Sequence, residues 1–223
     1  MRAVEQGPSC RLNLPRIRAE LVRVAADFHA INPQLNSPRE RPNEEVLENL
    51  ISGYALVDDL LASDIELLAY GNLKYLLELN TRVLCGTSDS RQHEYRKHIE
   101  ATATQLYESP EGGIRDVMEW AELHRREAAP FRAANIYVRI LSQPQLYIEG
   151  NHRTGTLVLS YVLGRAGLPP YVLSVENAKG YFDLSLDIKK TRKNGLSHLF
   201  RVPRLTRAFA RFLETAADPD FLL

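Results

Sequence analysis

One run, Gln145-Leu146-Tyr147-Ile148-Glu149-Gly150-Asn151-His152-Arg153-Thr154-Gly155-Thr156, carries the side chains best suited to chemistry in this chain. It follows Pro144 and precedes the most apolar stretch of the sequence, so it lies where a helix begins. A helix N-terminus presents unpaired backbone N–H groups and the positive end of its dipole, and together these bind anions. Gly150 lets the chain turn and lets its backbone approach a phosphate closely. Arg153, within the first helical turn, can grip phosphate oxygens through two parallel N–H groups. Glu149, just before the turn, is a hard oxygen ligand able to hold Mg²⁺ against the same phosphates. Carboxylate, turn, exposed amides and arginine are the parts that a nucleotide phosphate site needs. The same letters also fit a plain helix boundary, with Gly-Asn as end and start signals and Arg153 in solvent.

The elements that must position this run read as helices. Ile17, Leu21, Val24 and Phe28 form a stripe at i, i+4, i+7 and i+11, which Asn32-Pro33 ends. Ser37 to Pro42 is polar with two prolines and reads as a hinge. It divides an N-terminal helical extension, 1–42, from a main domain, 43–223. Asn43 is an N-cap for a helix bearing Val46, Leu50, Ile51, Tyr54, Val57 and Leu61. Ser63-Asp64 reads as the start of the next helix, with Leu67, Leu68, Leu76, Leu77 and Val83, closing near Gly86. Between Thr87 and Tyr107 the pattern weakens, and Thr102 and Thr104 give a short strand-like alternation.

Ser109-Pro110-Glu111 reads as a helix start, with Ile114, Val117, Met118 and Leu123 as the apolar face. Pro130 opens another helix towards Ser142, and Pro144 stops it. Asn151 to Ala166 reads as a buried helix capped by Gly167 and ended by Pro169-Pro170. Tyr171 to Val175 reads as a short extended piece, and amphipathic helices follow at Gly180–Lys190 and Pro203–Thr215. The sum is an all-α fold with room for one small β-hairpin; strand–helix alternation is absent, which argues against a doubly wound sheet.

Composition narrows the function classes. The 223 residues suit one sizeable domain, and the hydrophobic share of 44% supports a real core. Lys+Arg equals Asp+Glu at 28 each, so no overall field draws nucleic acid or an anionic membrane. Arg201, Arg204, Arg207 and Arg211 read first as a solvated helix face and second as a partner patch. Cys10 and Cys85 make neither a disulfide framework nor a metal spacing. His29, His93, His98, His124 and His198 show no paired metal spacing either. Met1 to Pro15 lacks an apolar secretion segment, so a cytoplasmic protein is the expectation.

The run around Gly150 resembles the motif of the Fic (Fido) superfamily, His-x-Phe-x-Asp/Glu-Gly-Asn-Gly-Arg-x-x-Arg. Tyr147 stands where the Phe belongs, Glu149, Gly150, Asn151 and Arg153 match, and Thr154-Gly155 is a common filling. The following LVLSYVLGRAGLPPYVL and ENAKGYFDLSL are also similar to that family, and the resemblance spans about Asn43 to Leu213. It implies a Fic-like helical core that moves AMP from ATP to a hydroxyl of a target protein. It also implies Mg²⁺ on Glu149, an anion hole from Gly150, Asn151, His152 and Arg153, and Gly155 among the nucleotide-binding residues. Arg153 would touch the β or γ phosphate, and His98 to Tyr107 would lie where the family has a target-positioning flap.

Three departures alter the expectation. Gln145 occupies the catalytic histidine's place, His152 replaces a glycine, and Thr156 replaces the second arginine. An amide cannot titrate near neutral pH, and losing a general base costs about 10²–10⁴-fold in rate. His152 reads either as a relocated base or as a surface or rim residue. The family's inhibitory helix ends in Glu-Gly/Asn; Glu44-Glu45-Val46-Leu47-Glu48-Asn49 ends that way but lacks the leading Ser/Thr. Glu48 therefore reads as an ordinary helix carboxylate, with a vestigial inhibitory role as the alternative. Three functions follow as expectations: a Fic-like transferase with altered chemistry, a pseudoenzyme that binds a nucleotide or protein, and a helical interaction protein whose loop is structural. The implied partners are a nucleotide and a protein target or separate inhibitor, not nucleic acid or membrane.

Overall fold

Helical spacing decides the architecture, and local cap signals decide where each helix stops. The computed structural model describes residues 10–109, 113–193 and 196–223. Among these the helices are α1 (Leu14–Ile31), α2 (Glu44–Ala62), α3 (Lys74–Cys85), α4 (Asp89–Glu94) and α5 (Arg96–Glu108). They continue as α6 (Ile114–Leu123), α7 (Ala129–Leu141), α8 (Asn151–Gly164), α9 (Ala178–Lys189) and α10 (Leu196–Thr215). The fold is all-α, and no strand is present among the described residues.

The α8 helix is buried around its whole circumference from Thr154 to Gly164, and α2, α3 and α7 pack directly against it. The α10 helix covers α7 on the far side and leaves Arg201, Arg204, Arg207 and Arg211 exposed. Ile17 and Leu21 of α1 lie in the same apolar cluster as Tyr54, Leu76, Ile140 and Leu157, so α1 shares the central core. Just before α1, Arg11 grips the buried Asp58 with Nε and Nη2, at 3.0 and 2.6 Å. The Leu12 N–H donates to the same carboxylate at 2.8 Å, satisfying it from two sides.

Several starts and stops follow local rules. Asn43 Oδ1 accepts from the Val46 N–H at 2.9 Å and caps α2. Gly86 and Gly167 take the positive φ that ends α3 and α8. After α8, Leu168 N–H reaches Leu163 O and Gly167 N–H reaches Gly164 O, a Schellman closure.

The structure corrects other expectations. Ser63-Asp64 ends α2 rather than opening a helix. Asp64 adopts φ 53°, Ile65 N–H bonds Leu60 O, and Asp64 N–H bonds Leu61 O. The link to α3 carries a short 3₁₀ helix at Tyr70–Asn72, and buried Tyr161 satisfies its first part: the Tyr161 hydroxyl donates to Ile65 O and accepts from Leu67 N–H. The expected hairpin around Thr102 and Thr104 is helix α5. Thr102 and Leu106 are both buried one turn apart, and Thr104 Oγ1 bonds back to Glu100 O, so the helical period wins over the alternation. Pro110 and Glu111 lie outside the described residues; α6 itself runs from Ile114, with Leu123 81% exposed at its end. Tyr171–Val175 pairs with no strand; Tyr54, Ser160 and Asn177 side chains take the carbonyls of Tyr171 and Val172 instead. Among the described residues no helix is long and apolar enough to cross a membrane.

Candidate functional site

The turn between α7 and α8 is held from inside and from outside. From inside, Asn151, 5% exposed, accepts from Tyr147 N–H at 2.9 Å and donates to Tyr147 O at 2.7 Å. Tyr147 is itself buried, with its hydroxyl on Leu76 O of α3. From outside, Asn80 of α3 donates to Glu149 O at 2.9 Å and lies 3.0 Å from Thr154 Oγ1. Between these two amides Gly150 adopts φ 76° as the residue before α8, a left-handed conformation that favours glycine. A Cβ there would stand 3.0 Å from Asn80 Nδ2.

The result is a helix N-terminus fixed at a tight turn. The N–H groups of Asn151, His152 and Arg153 have no acceptor within their own helix, and the first intrahelical bond of the turn is Thr154 N–H to Gly150 O at 2.9 Å. The Glu149 carboxylate is exposed beside this turn and makes no hydrogen bond with the described residues. Arg153 is partly buried, and its Nη1 donates to Val83 O at 2.9 Å near the C-terminal end of α3. Burial pulls its pKa below the ordinary 12.5, with the charge of Glu149 opposing. It remains a cation, with further N–H donors beyond the one on Val83.

His152 turns inward, which corrects its reading as a surface or rim residue. Its Nδ1 lies 3.2 Å from Tyr137 OH, and its Nε2 is buried. The Tyr137 hydroxyl meets Tyr181 OH and Ser185 Oγ, each at 2.9 Å. Burial, and then the charges of Arg39, Lys189 and Arg153, lower the ring's pKa from 6.5 to about 3. The imidazole is thus neutral at physiological pH and a weak proton acceptor. Thr156, in the second arginine's position, bonds His152 O at 3.0 Å and Tyr181 OH at 2.9 Å. It is an anchor beneath His152 and carries no charge.

Other predicted site residues fall elsewhere. Gln145 Nε2 donates to Leu141 O at 3.2 Å, and the residue lines a separate hollow with Gln105 and Ser109. From α5, Gln105 Nε2 donates to Gln145 O and Leu146 O, so the helix found in place of the flap does brace this segment. Gly155 faces away from the turn: a Cβ there would lie 2.9 Å from the Tyr137 ring, so the glycine lets α8 approach α7. Glu48 forms a two-pronged pair with Arg18 of α1, one arm at 2.7 Å, and is thereby engaged away from Arg153.

His152, Arg153 and Thr156 also line a cavity of about 370 Å³ enclosed by α1, the 39–43 segment, α2 and α9. Arg39, Glu40 and Arg41 line it as well, two cations and one carboxylate from the same segment. Neither Asn80 nor Arg39 stood out in the sequence. Asn80 had one signal: with Leu76 and Val83 it occupies a buried helical stripe, where an amide needs partners.

As for Mg²⁺, no cluster of three or more His, Cys, Asp or Glu able to hold a metal exists among the described residues. A single exposed carboxylate such as Glu149 does fit Mg²⁺, which commonly takes one or two protein carboxylates plus phosphate oxygens and waters. Comparison with protein-family models, curated proteins and solved structures found no match for this chain. What the site does is therefore read from its own geometry.

Proposed function

We propose that the chain is a Fic-like protein that binds a phosphate-bearing ligand, a nucleotide in the first instance, at the N-terminus of α8, in a cytoplasmic setting. The observation that carries this reading is the Gly150 turn. Its positive φ, fixed by Asn151 and Asn80, holds the open amides of α8 next to the Glu149 carboxylate and the Arg153 cation. Amides and dipole favour an anion there, and Arg153 adds a guanidinium whose remaining donors suit phosphate oxygens. Mg²⁺ held by Glu149 would neutralise phosphate charge.

Of the readings that bind a nucleotide, the non-catalytic one is favoured by Gln145 and His152. The Gln145 amide is tied to Leu141 O, and an amide takes no proton from an attacking hydroxyl. His152, with a pKa of about 3, is a poor substitute base. The chain would then act as a pseudoenzyme whose bound nucleotide governs a protein partner, rather than as an adenylyltransferase.

Two measurements test this reading. Calorimetric titration of ATP with Mg²⁺ should show saturable binding to the wild type and a loss of at least tenfold in Arg153→Ala. Intact-mass spectrometry after incubation with ATP and Mg²⁺ should show no added AMP on the chain. Failure of the wild type to bind ATP or any other nucleotide would overturn the binding claim; an added AMP would restore the transferase reading.

A further inference from the structure

Helix α10 carries two stripes of opposite character. Val202, Thr206, Phe209 and Leu213 recur at i, i+4, i+7 and i+11 and are buried, where α10 packs on α7 and α9. Phe200, Arg204, Arg207 and Arg211 recur with the same spacing two positions earlier, and all four are exposed. A shift of two residues turns a helix through about 200°, so the second stripe faces away from the core. Leu199 and Arg201 flank Phe200 and are exposed as well.

The even total charge of the chain conceals how its charges are sorted. Residues 189–213 hold eight Lys and Arg and neither Asp nor Glu, which leaves 20 Lys and Arg against 28 Asp and Glu in the rest. Lys193 is partly buried and feels the charge of Asp116, so it stands apart from the stripe. Lys189, Lys190 and Arg192 are exposed where α9 gives way to α10. Among the packed neighbours, α7 carries no acid, while α9 supplies Asp187 and Asp183, the latter held by Lys179. Glu214 follows the stripe at its far end. The guanidinium groups of α10 make no hydrogen bond or ion pair with the described residues. By contrast, Arg18, Arg23, Arg91 and Arg165 each sit on a carboxylate.

Phe200 is 79% exposed and Leu199 63%, an apolar pair set among these cations. A partner that satisfies the whole surface supplies dense negative charge and a place for apolar carbon at once. Duplex nucleic acid supplies the charge, but its phosphates offer nothing to Leu199. A short acidic peptide on this convex face makes only exposed ion pairs, which contribute little one by one. An anionic bilayer supplies both, headgroups for Lys and Arg and the acyl boundary for Phe200 and Leu199. It also repels the acidic remainder of the chain, so the field turns α10 towards it.

We propose that α10 docks this protein onto an anionic membrane surface, with Arg201, Arg204, Arg207 and Arg211 on lipid headgroups and Phe200 and Leu199 dipping into the acyl boundary. The contact is peripheral: α10 lies on the surface while its buried stripe stays packed in the protein. Each Lys or Arg held near such a surface raises the affinity about fivefold. The inference goes beyond nucleotide binding at the Gly150 turn and holds or fails independently of it.

The test is co-sedimentation of the full chain with vesicles of phosphatidylcholine and phosphatidylserine, three to one, against vesicles of phosphatidylcholine alone. The expected result is binding to the anionic vesicles only, weakened by added salt. Replacing Arg204, Arg207 and Arg211 together by Gln should weaken it about 100-fold, and Phe200→Ser about tenfold. All four side chains are exposed, so far-ultraviolet circular dichroism should show the wild-type fold in both variants. If the triple variant does not fold, Arg207→Gln, with an expected loss of about fivefold, decides alone. No binding to the anionic vesicles overturns the proposal, as does equal binding to phosphatidylcholine alone or unchanged binding by the triple variant. Tighter binding to duplex DNA or to polyglutamate, or unchanged binding by Phe200→Ser, overturns the assignment of a membrane.

Discussion

The side-chain amide of Asn80 donates to the carbonyl oxygen of Glu149 at 2.9 Å, tying the candidate metal-binding residue to the middle of α3. The same nitrogen lies 3.0 Å from Thr154 Oγ1 in the first turns of α8. One buried amide, 1% exposed, thus sets the position of the Gly150 turn from a distant part of the sequence.

Asn80→Leu should therefore act on both stability and binding. It removes both bonds from Nδ2 and leaves Glu149 O without that donor, for an expected loss of about 1–3 kcal/mol. Urea denaturation checks the first effect, and nucleotide titration of the folded variant checks the second. An unchanged denaturation midpoint would contradict the structural role assigned here.

Gly150→Ala tests the turn itself. The backbone φ of 76° costs a non-glycine residue about 1–2 kcal/mol, and the added Cβ meets Asn80 Nδ2 at 3.0 Å. Gly150→Asn, which tolerates the left-handed region better, should lose less than Gly150→Ala in the same denaturation series.

Gly155→Val separates packing from ligand binding. The larger side chain would be driven against the Tyr137 ring and force α8 from α7, at a cost of about 1–3 kcal/mol. Because Gly155 faces α7 and not the turn, nucleotide affinity of the remaining folded protein should change little. A selective loss of affinity with unchanged stability would return Gly155 to the binding site.

His152 predicts how stability varies with pH. Its folded pKa is about 3 and its ordinary value 6.5, a shift due first to burial and then to Arg39, Lys189 and Arg153. Between these values the unfolded chain binds the extra proton, so stability rises with pH. The contribution is complete above about pH 6.5 and is lost as pH falls from there towards 3, by at most about 1.4 kcal/mol per unit. Urea midpoints at pH 7.5 and pH 5 should therefore differ more for the wild type than for His152→Gln. Equal differences would show that the ring titrates normally.

What the sequence displayed and what it concealed follow from the range of each signal. Asn43, Gly86 and Gly167 act within one turn of their own helix ends, so their caps were legible. Asp64 misled because the same residue type serves as a helix start and, in the left-handed region, as a stop. Thr102 and Thr104 misled because a two-residue alternation is too short to outweigh the burial of Thr102 and Leu106.

The candidate site divides in the same way. Glu149, Gly150, Asn151 and Arg153 are neighbours in sequence, and their grouping survives folding. Arg39 and Asn80 reach the site only through packing, and nothing local marks the place of one in the cavity wall or the two bonds of the other. The inward turn of His152 depends on Tyr137 of α7 and Tyr181 of α9, partners that no local spacing reveals.

The central claim is that the Gly150 turn binds a phosphate-bearing nucleotide with the help of a metal held by Glu149. Its most direct test is calorimetric titration of ATP into the wild type and Glu149→Gln, each with and without Mg²⁺. Glu149 is exposed and its carboxylate makes no hydrogen bond with the described residues, so the variant should keep the fold. The account predicts that Mg²⁺ tightens binding to the wild type at least tenfold and has little effect on Glu149→Gln. Binding that ignores Mg²⁺ in both proteins, or no binding to the wild type at all, would contradict it.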